Sequence, residues 1–166
     1  LALMPLPGDV DLVLASELME AARAVQRGLV TPTRTTLLAS THRVYAIAEK
    51  IALGDGRADD QALLAAAKGA AKRFVGFGMA ATAEGAGSVI SAVLFGALAA
   101  TGELPFTREQ FEATIQRGGV GVKSSLAAFD AAHRQALAGP APSAPAPAFV
   151  LPRASHPEVQ ALLERA

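Results

Sequence analysis

The chain contains no cysteine and only three histidines among its 166 residues. The absence of cysteine excludes disulfides, a thiolate nucleophile and iron–sulfur clusters ligated by this chain. Three scattered histidines offer little from which to build a zinc site. Any redox chemistry therefore belongs to another chain, and we expect neither a metal site nor a catalytic residue here.

An excess of charge of either sign is also missing, because 15 basic residues balance 15 acidic ones. No basic run with interleaved aromatic residues occurs, which argues against nucleic acid and anionic membrane surfaces as partners. The opening residues lack the basic start and the long apolar core of a signal peptide. We therefore expect a cytoplasmic protein, and the start at Leu1 leads us to expect a piece of a longer chain.

Residues 85–102 carry no charge, and a stretch of about 18 such residues approaches the minimum length of a membrane-spanning helix. Alanine, glycine and serine outnumber the large apolar residues, which argues against a span. The glycine-rich start predicts a loop, followed by a helix of about 14 residues from Ser88. A helix that is apolar all round must be covered on every side, so we expect this one to be fully buried.

The first part of the chain has a strand–helix–strand pattern over residues 9–40. The apolar run 11–15 predicts a buried strand, and residues 35–40 predict a second one. Between them, apolar residues at helical spacing predict a helix that ends at a Gly28 cap. Units of this kind build parallel sheets.

The second part of the chain predicts one more strand and several helices. Asp59 or Asp60 can cap an alanine-rich helix that runs to about residue 72, and residues 74–77 predict the third strand. Thr107 and Gln110 form a capping-box pattern ahead of a helix to about residue 117. Residues 44–53 fit a strand in their first half and a helix in their second.

The last predicted helix follows a glycine-rich turn and ends near Gly139. Helical spacing places four residues on one face of this helix: Val122, Leu126, Phe129 and His133. Beyond it, residues 140–150 predict a Pro/Ala-rich linker, and residues 151–166 predict the start of a following helical region. The domain proper is thus expected over residues 1–139. Its predicted fold class is α/β, a three-layer, Rossmann-like, doubly wound and mostly parallel sheet with helices on both faces.

Known phosphate-binding and nucleophile motifs are absent from the sequence, which has no Gly-x-Gly-x-x-Gly, P-loop or Gly-x-Ser-x-Gly pattern. The most suggestive stretch is Ser40, Thr41, His42 and Arg43, just beyond the carboxyl end of a predicted strand, where open α/β sheets bind ligands. His42 could move protons, and Arg43 could bind a carboxylate or phosphate. A solvated turn with an interface salt bridge is the competing interpretation.

A second candidate ligand site is formed by Gly87 and Ser88, ahead of a predicted helix N-terminus, where free N–H groups could hold an anion. Simple helix capping explains the same residues. Glu17 and Glu20 look like a pair of catalytic carboxylates, but the helix dipole alone favours acidic residues at a helix start.

Several stretches of the sequence, in the same order, resemble the β subunit of indolepyruvate:ferredoxin oxidoreductases. They cover much of residues 1–130: GDVDLVLASELMEA (8–21), THRVYAIAEK (41–50), GSVISAVLFGALA (87–99), LPFTRE (104–109) and GVGV (119–122). The resemblance implies a domain like the γ domain of pyruvate:ferredoxin oxidoreductases, here without its N-terminal strands. The missing strands would leave a sheet edge and apolar surface uncovered.

The resemblance also implies an activity for the complex. Such complexes convert aryl pyruvates and coenzyme A to aryl-acetyl-CoA and carbon dioxide, with ferredoxin as electron acceptor. Thiamine diphosphate, magnesium and the iron–sulfur clusters are expected on the companion α subunit, and no cofactor on this chain. The expected partners are that α subunit and ferredoxin, with homodimer contacts as a further expectation.

Two other functions fit the residues. A Rossmann-type module could bind a small ligand alone, and it would need an anion site at residues 40–43 or 85–88. A purely structural domain could hold an oligomer together without affecting turnover.

Overall fold

The computed structural model describes residues 4–43 and 59–139 of the chain. The predictions for residues 44–53, for the linker 140–150 and for the helical region 151–166 lie outside these residues. Within them the chain forms one three-stranded parallel sheet and six helices.

The sheet consists of β1 (Leu12–Ala15), β2 (Thr36–Ser40) and β3 (Arg73–Phe77), which lie side by side in chain order. Leu14 of β1 is in register with Leu38 of β2, which in turn is in register with Val75 of β3. Every residue of the central strand β2 is buried. Burial on both faces explains why this strand is a continuous run without charge rather than an alternating pattern.

Two helices connect the strands and cover one face of the sheet. Helix α1 (Leu18–Gln26) leads from β1 to β2, and helix α2 (Asp60–Ala70) precedes β3. Small residues let these helices approach the sheet closely, and the cluster contains Ala21, Ala24 and Ala67 together with Leu37 and Ala39 of β2. The end of α1 is a Schellman motif, in which Gly28 has a φ of +71° and the N–H groups of Gly28 and Leu29 donate to Val25 and Ala24. The predicted Gly28 cap is confirmed.

The other four helices follow β3 along the chain. They are α3 (Met79–Gly85), α4 (Ile90–Thr101), α5 (Arg108–Gly118) and α6 (Val122–Ala138). The main core lies on the second face of the sheet, where Leu38 and Val75 pack with Val93, Ala97 and Phe129 of α4 and α6. Helices therefore cover both faces of the sheet, as the predicted layer arrangement requires.

Helices α3 and α4 differ from what the sequence predicted. No helix was predicted at residues 79–85, and α4 begins at Ile90 rather than Ser88. The expectation that α4 is fully buried is wrong, since Ser91 is exposed and Phe95 is only partly buried. α4 packs mainly against α6 and also contacts α3, α5 and β2.

The remaining boundaries agree with the predictions to within about two residues. Asp59 is the N-cap of α2, which ends at Ala70 rather than residue 72, and β3 begins at Arg73 rather than residue 74. The capping box of α5 is present, because Gln110 Oε1 accepts a hydrogen bond from the Thr107 N–H at 2.8 Å. Such small shifts are within the usual uncertainty of helix and strand ends.

No single helix in the described part of the chain is long and apolar enough to cross a membrane. Helices α3 and α4 reach the required length and hydropathy only together, and they are bent by 114° relative to each other.

The sheet is small and open at both sides. Among the described residues, β1 and β3 each pair only with β2. Leu14 lies on the same face of β1 as Leu12, which packs against the main core, yet its side chain is 44% exposed. The described fold is thus α/β and compatible with a Rossmann-like arrangement, with an apolar side chain left uncovered at the β1 edge.

Candidate functional site

The carboxyl end of the central strand is organised around the Ser40 hydroxyl. Ser40 is fully buried, and its Oγ accepts a hydrogen bond from the N–H of Met79 at 3.2 Å. The same Oγ lies 2.6 Å from Nδ1 of His42. One side chain therefore links the end of β2, the loop after it and the start of α3.

These contacts engage one of the two ring nitrogens of His42. The buried Ser40 Oγ accepts from the Met79 N–H and also lies within hydrogen-bond distance of Nδ1 of His42. A hydroxyl can donate to Nδ1 or accept from it, so this hydrogen bond fits either tautomer of the ring. Nδ1 is thus engaged by Ser40, which leaves Nε2 as the ring nitrogen available for a further contact.

Backbone hydrogen bonds hold the loop after β2 on both sides. The Thr41 N–H donates to the carbonyl of Phe77 at the end of β3, at 2.9 Å. The carbonyl of His42 accepts from the N–H of Leu18, the first residue of α1, at 3.0 Å. His42 is thus positioned where the ends of all three strands meet, as open α/β sheets place their ligand-binding loops.

Glu17 occupies the N-terminus of α1 beside this loop. Its carboxylate accepts from the N–H groups of Met19 and Glu20, both at 2.9 Å. Glu20 itself pairs with Arg23 on the exposed side of the helix. Glu17 therefore acts as a helix cap in this structure, and the two carboxylates do not form a facing pair.

Arg43 pairs with Asp60, the first residue of α2. The Arg43 side chain is only 4% exposed, whereas that of Asp60 is 50% exposed. The Arg43 side chain is therefore buried rather than solvated, and its salt bridge with Asp60 lies within the chain. A buried guanidinium needs a nearby counter-charge, which Asp60 supplies.

Gly87 and Ser88 form a Schellman motif at the end of α3. The φ of Gly87 is +59°, its N–H donates to Glu84, and the N–H of Ser88 donates to Ala83. These two N–H groups are therefore engaged and do not face an anion. The capping role expected of Ser88 is also wrong, because Val89 is the N-cap of α4.

The two sequence-predicted sites remain separate in the structure. No hydrogen bond or ion pair between described residues joins residues 40–43 to residues 87 and 88. The Oγ of Ser88 is buried and has no hydrogen-bond partner in the part of the chain that the structure describes. Across residues 4–43 and 59–139, no group of three or more His, Asp or Glu side chains gathers in a way that could hold a metal ion.

Sequence reasoning missed two groups that shape the site, the Met79 N–H and the Asp60 carboxylate as a partner for Arg43. The first depends on α3, which the sequence pattern did not reveal. The second could have been suspected, because an acidic residue in the first turn of a helix is a common partner for a cation.

His133 lies outside this site, on α6, where its ring stacks on Phe129 with centroids 6.1 Å apart. Burial lowers the pKa of the His133 imidazole, and the charge of Arg108 lowers it further, while Asp130 and Glu112 act in the opposite direction. The neutral form is therefore favoured in the folded chain.

The depressed pKa of His133 predicts a stability that depends on pH. His133 binds a proton more readily in the unfolded chain than in the folded chain. Its contribution to the free energy of unfolding is therefore complete above its ordinary pKa of about 6.5 and decreases as the pH falls below that value. We expect urea unfolding to give a lower free energy of unfolding near pH 5 than near pH 7. The difference should shrink in His133→Gln, and an identical pH dependence in both proteins would contradict the prediction.

No known family model matches the chain, and no curated protein or solved structure shows significant similarity to it.

Proposed function

We propose that this chain is a cofactor-free subunit of an indolepyruvate:ferredoxin oxidoreductase. In that complex it supports the coenzyme A-dependent oxidative decarboxylation of aryl pyruvates, with ferredoxin as electron acceptor. Thiamine diphosphate, magnesium and the iron–sulfur clusters belong to the companion α subunit. The proposal includes a cytoplasmic location, and it rests first on the resemblance of the stretches described above.

The observation that carries the proposal is the uncovered edge at β1. Leu14 is an exposed residue of β1, and β1 has no second neighbouring strand among the described residues. An open strand edge with apolar side chains favours pairing with another polypeptide segment. We therefore propose that the three strands are part of a larger, doubly wound sheet and that this side of the domain is covered in the complex.

The role proposed for the chain is to shape the complex and to support the companion's cofactor site. The loop containing His42 is a candidate for contact with coenzyme A or ferredoxin, because Ser40 engages Nδ1 and leaves Nε2 of the ring available. Arg43 is less suited to such a contact, since its side chain is buried against Asp60.

An independent small-ligand binding module is the second candidate function. The same His42 loop at the carboxyl edge of the sheet favours it. The engaged N–H groups of Gly87 and Ser88 and the buried Arg43 side chain count against it, because these expected anion contacts already have partners within the chain.

Coexpression with the thiamine-bearing companion tests the subunit proposal through association. We expect the two chains to elute together in size-exclusion chromatography, and Leu14→Glu to abolish that coelution by placing a charge at the interface. Val120→Glu is the matched control, because Val120 is 89% exposed in the turn before α6 and is not part of the sheet. Separate elution of the unmodified chains would contradict the proposal. If Leu14→Glu and Val120→Glu coelute with the companion to the same extent, the interface does not include the β1 edge.

A further inference from the structure

A cavity of about 430 Å³ lies between the middle of α4, the loop after α4 and α5. Its size is within the range of small-molecule sites in proteins. Three aromatic and three polar residues define it: Phe95, Phe106, Phe111, Gln110, Thr114 and Arg117. It is separate from the His42 loop and has no part in the proposed subunit role.

The apolar wall of this cavity is aromatic. The Phe95 and Phe111 rings meet edge to face with centroids 4.8 Å apart, and Phe106 meets Phe111 in the same way at 6.1 Å. Phe111 is buried, whereas the Phe106 side chain is 57% exposed. An aromatic ligand could extend this cluster and cover the exposed Phe106 ring, with a gain of buried apolar area.

The polar rim of the cavity comes from one face of α5. Gln110, Thr114 and Arg117 stand four and seven residues apart along this helix, so their side chains lie on the same side. Gln110 Oε1 accepts from the Thr107 N–H, and Thr114 Oγ1 donates to the Gln110 carbonyl while it accepts from Arg117. The groups left to bind a ligand are therefore donors, the Gln110 amide NH₂ and the Arg117 guanidinium.

The charge at this rim is positive and has no internal counter-charge. No carboxylate of the described residues pairs with Arg117, in contrast to Arg108 on the same helix, which pairs with Glu112 and Asp130. No acidic side chain is among the described residues that line the cavity. An anionic head group would satisfy both donors, because a guanidinium and an amide NH₂ each donate to a carboxylate.

We propose that this cavity binds a small organic anion that combines an aromatic ring with a carboxylate. The ring packs against Phe106 and Phe111, and the carboxylate accepts from Arg117 and Gln110. The aromatic wall selects the body of the ligand, and the donor-only rim selects its charge. This inference does not depend on the subunit proposal and can fail or succeed without it.

Titration with 3-phenylpropanoate, followed by backbone amide NMR shifts, tests the site in the whole chain. We expect shifts centred on α5 and the preceding loop, with a dissociation constant in the millimolar range or below. Arg117→Gln should weaken binding roughly 3- to 10-fold through loss of a charge-assisted hydrogen bond. Phe106→Ala should weaken it to a similar extent, and the exposure of Phe106 makes this change compatible with folding.

Three comparisons make the test specific. Arg27→Gln removes an arginine that is also exposed, at the end of α1, and should leave binding unchanged. Uncharged 3-phenylpropanamide and ring-free propanoate should both bind more weakly than 3-phenylpropanoate. Equal binding of the amide would overturn the anion site and favour an apolar anchor of a protein partner. Absence of shifts at α5, or equal effects of Arg117→Gln and Arg27→Gln, would overturn the site altogether.

Discussion

Replacement of Gly96 with alanine should lower the free energy of unfolding by about 2 kcal/mol, although alanine is the better helix former. A Cβ atom on Gly96 would lie 2.2 Å from the carbonyl oxygen of Phe129 and 2.8 Å from its Cα. Both are backbone atoms of α6, so relief requires a shift of the whole helix rather than of one side chain. This cost exceeds the gain of about 1 kcal/mol expected from helix propensity alone.

Gly69→Ala is the control, and we expect it to change the free energy of unfolding in the opposite direction. Gly69 also lies within a helix, α2, but no atom lies within 4 Å of the place that a Cβ would take, and its backbone does not adopt a positive φ. We expect alanine there to raise the free energy of unfolding by roughly 0.5–1 kcal/mol. Urea unfolding of both variants measures the pair, and a Gly96→Ala protein as stable as the parent would show that α4 and α6 do not pack as described.

Truncation of Phe129 to alanine should have the largest effect of any single change, about 3–5 kcal/mol. Phe129 is fully buried and lies at the centre of the core between α4, α5 and α6. Its ring is 6.1 Å from that of Phe95 and 6.4 Å from that of Phe111, and the Arg108 guanidinium lies 5.8 Å from its centroid. Alanine would leave a cavity bounded by these groups.

Such a loss is a large share of the roughly 5–15 kcal/mol that typically stabilises a domain. Phe106→Ala is the control, because its exposed ring contributes less buried area, and we expect a loss below about 1 kcal/mol. Thermal and urea unfolding compare the two. A Phe129→Ala protein that unfolds at nearly the same urea concentration as Phe106→Ala would contradict the assignment of Phe129 to the core.

The strands and most helices could be predicted because their signals are local. Continuous apolar residues in β2 and the glycine at the end of α1 follow directly from burial on two faces and from a left-handed cap. Helix α3 was not predicted because Gly78, at its N-cap, makes no side-chain hydrogen bond and its short Ala-rich sequence has little periodicity. Its end at the Gly87 Schellman motif in turn moved the start of α4 from Ser88 to Ile90.

The location of the candidate site could be predicted from the sequence, but its contacts could not. The end of a parallel strand indicates where a ligand loop lies. The pairing of Arg43 with Asp60, and of Ser40 with the Met79 N–H, depends on where α2 and α3 pack. These partners are 17 and 39 residues distant along the chain, so no local pattern could specify them.

The cavity at α5 also could not be predicted from local sequence patterns. The capping box was predicted from the sequence, and the structure adds the Phe106–Phe111 contact beside it. Their combination with Phe95 of α4, which turns a helix cap into an aromatic pocket, requires the packing of α4 against α5. The role proposed for Arg117 likewise depends on the structure, in which this cation pairs with no carboxylate among the described residues.

The central claim, that the chain acts as a subunit beside a thiamine-bearing companion, is tested most directly by turnover. The measurement is indolepyruvate-dependent reduction of ferredoxin in the presence of coenzyme A, with each chain alone and with the copurified pair. We predict activity in the pair and none in either chain alone. Equal turnover by the companion alone, or a copurified pair without activity, would contradict the claim.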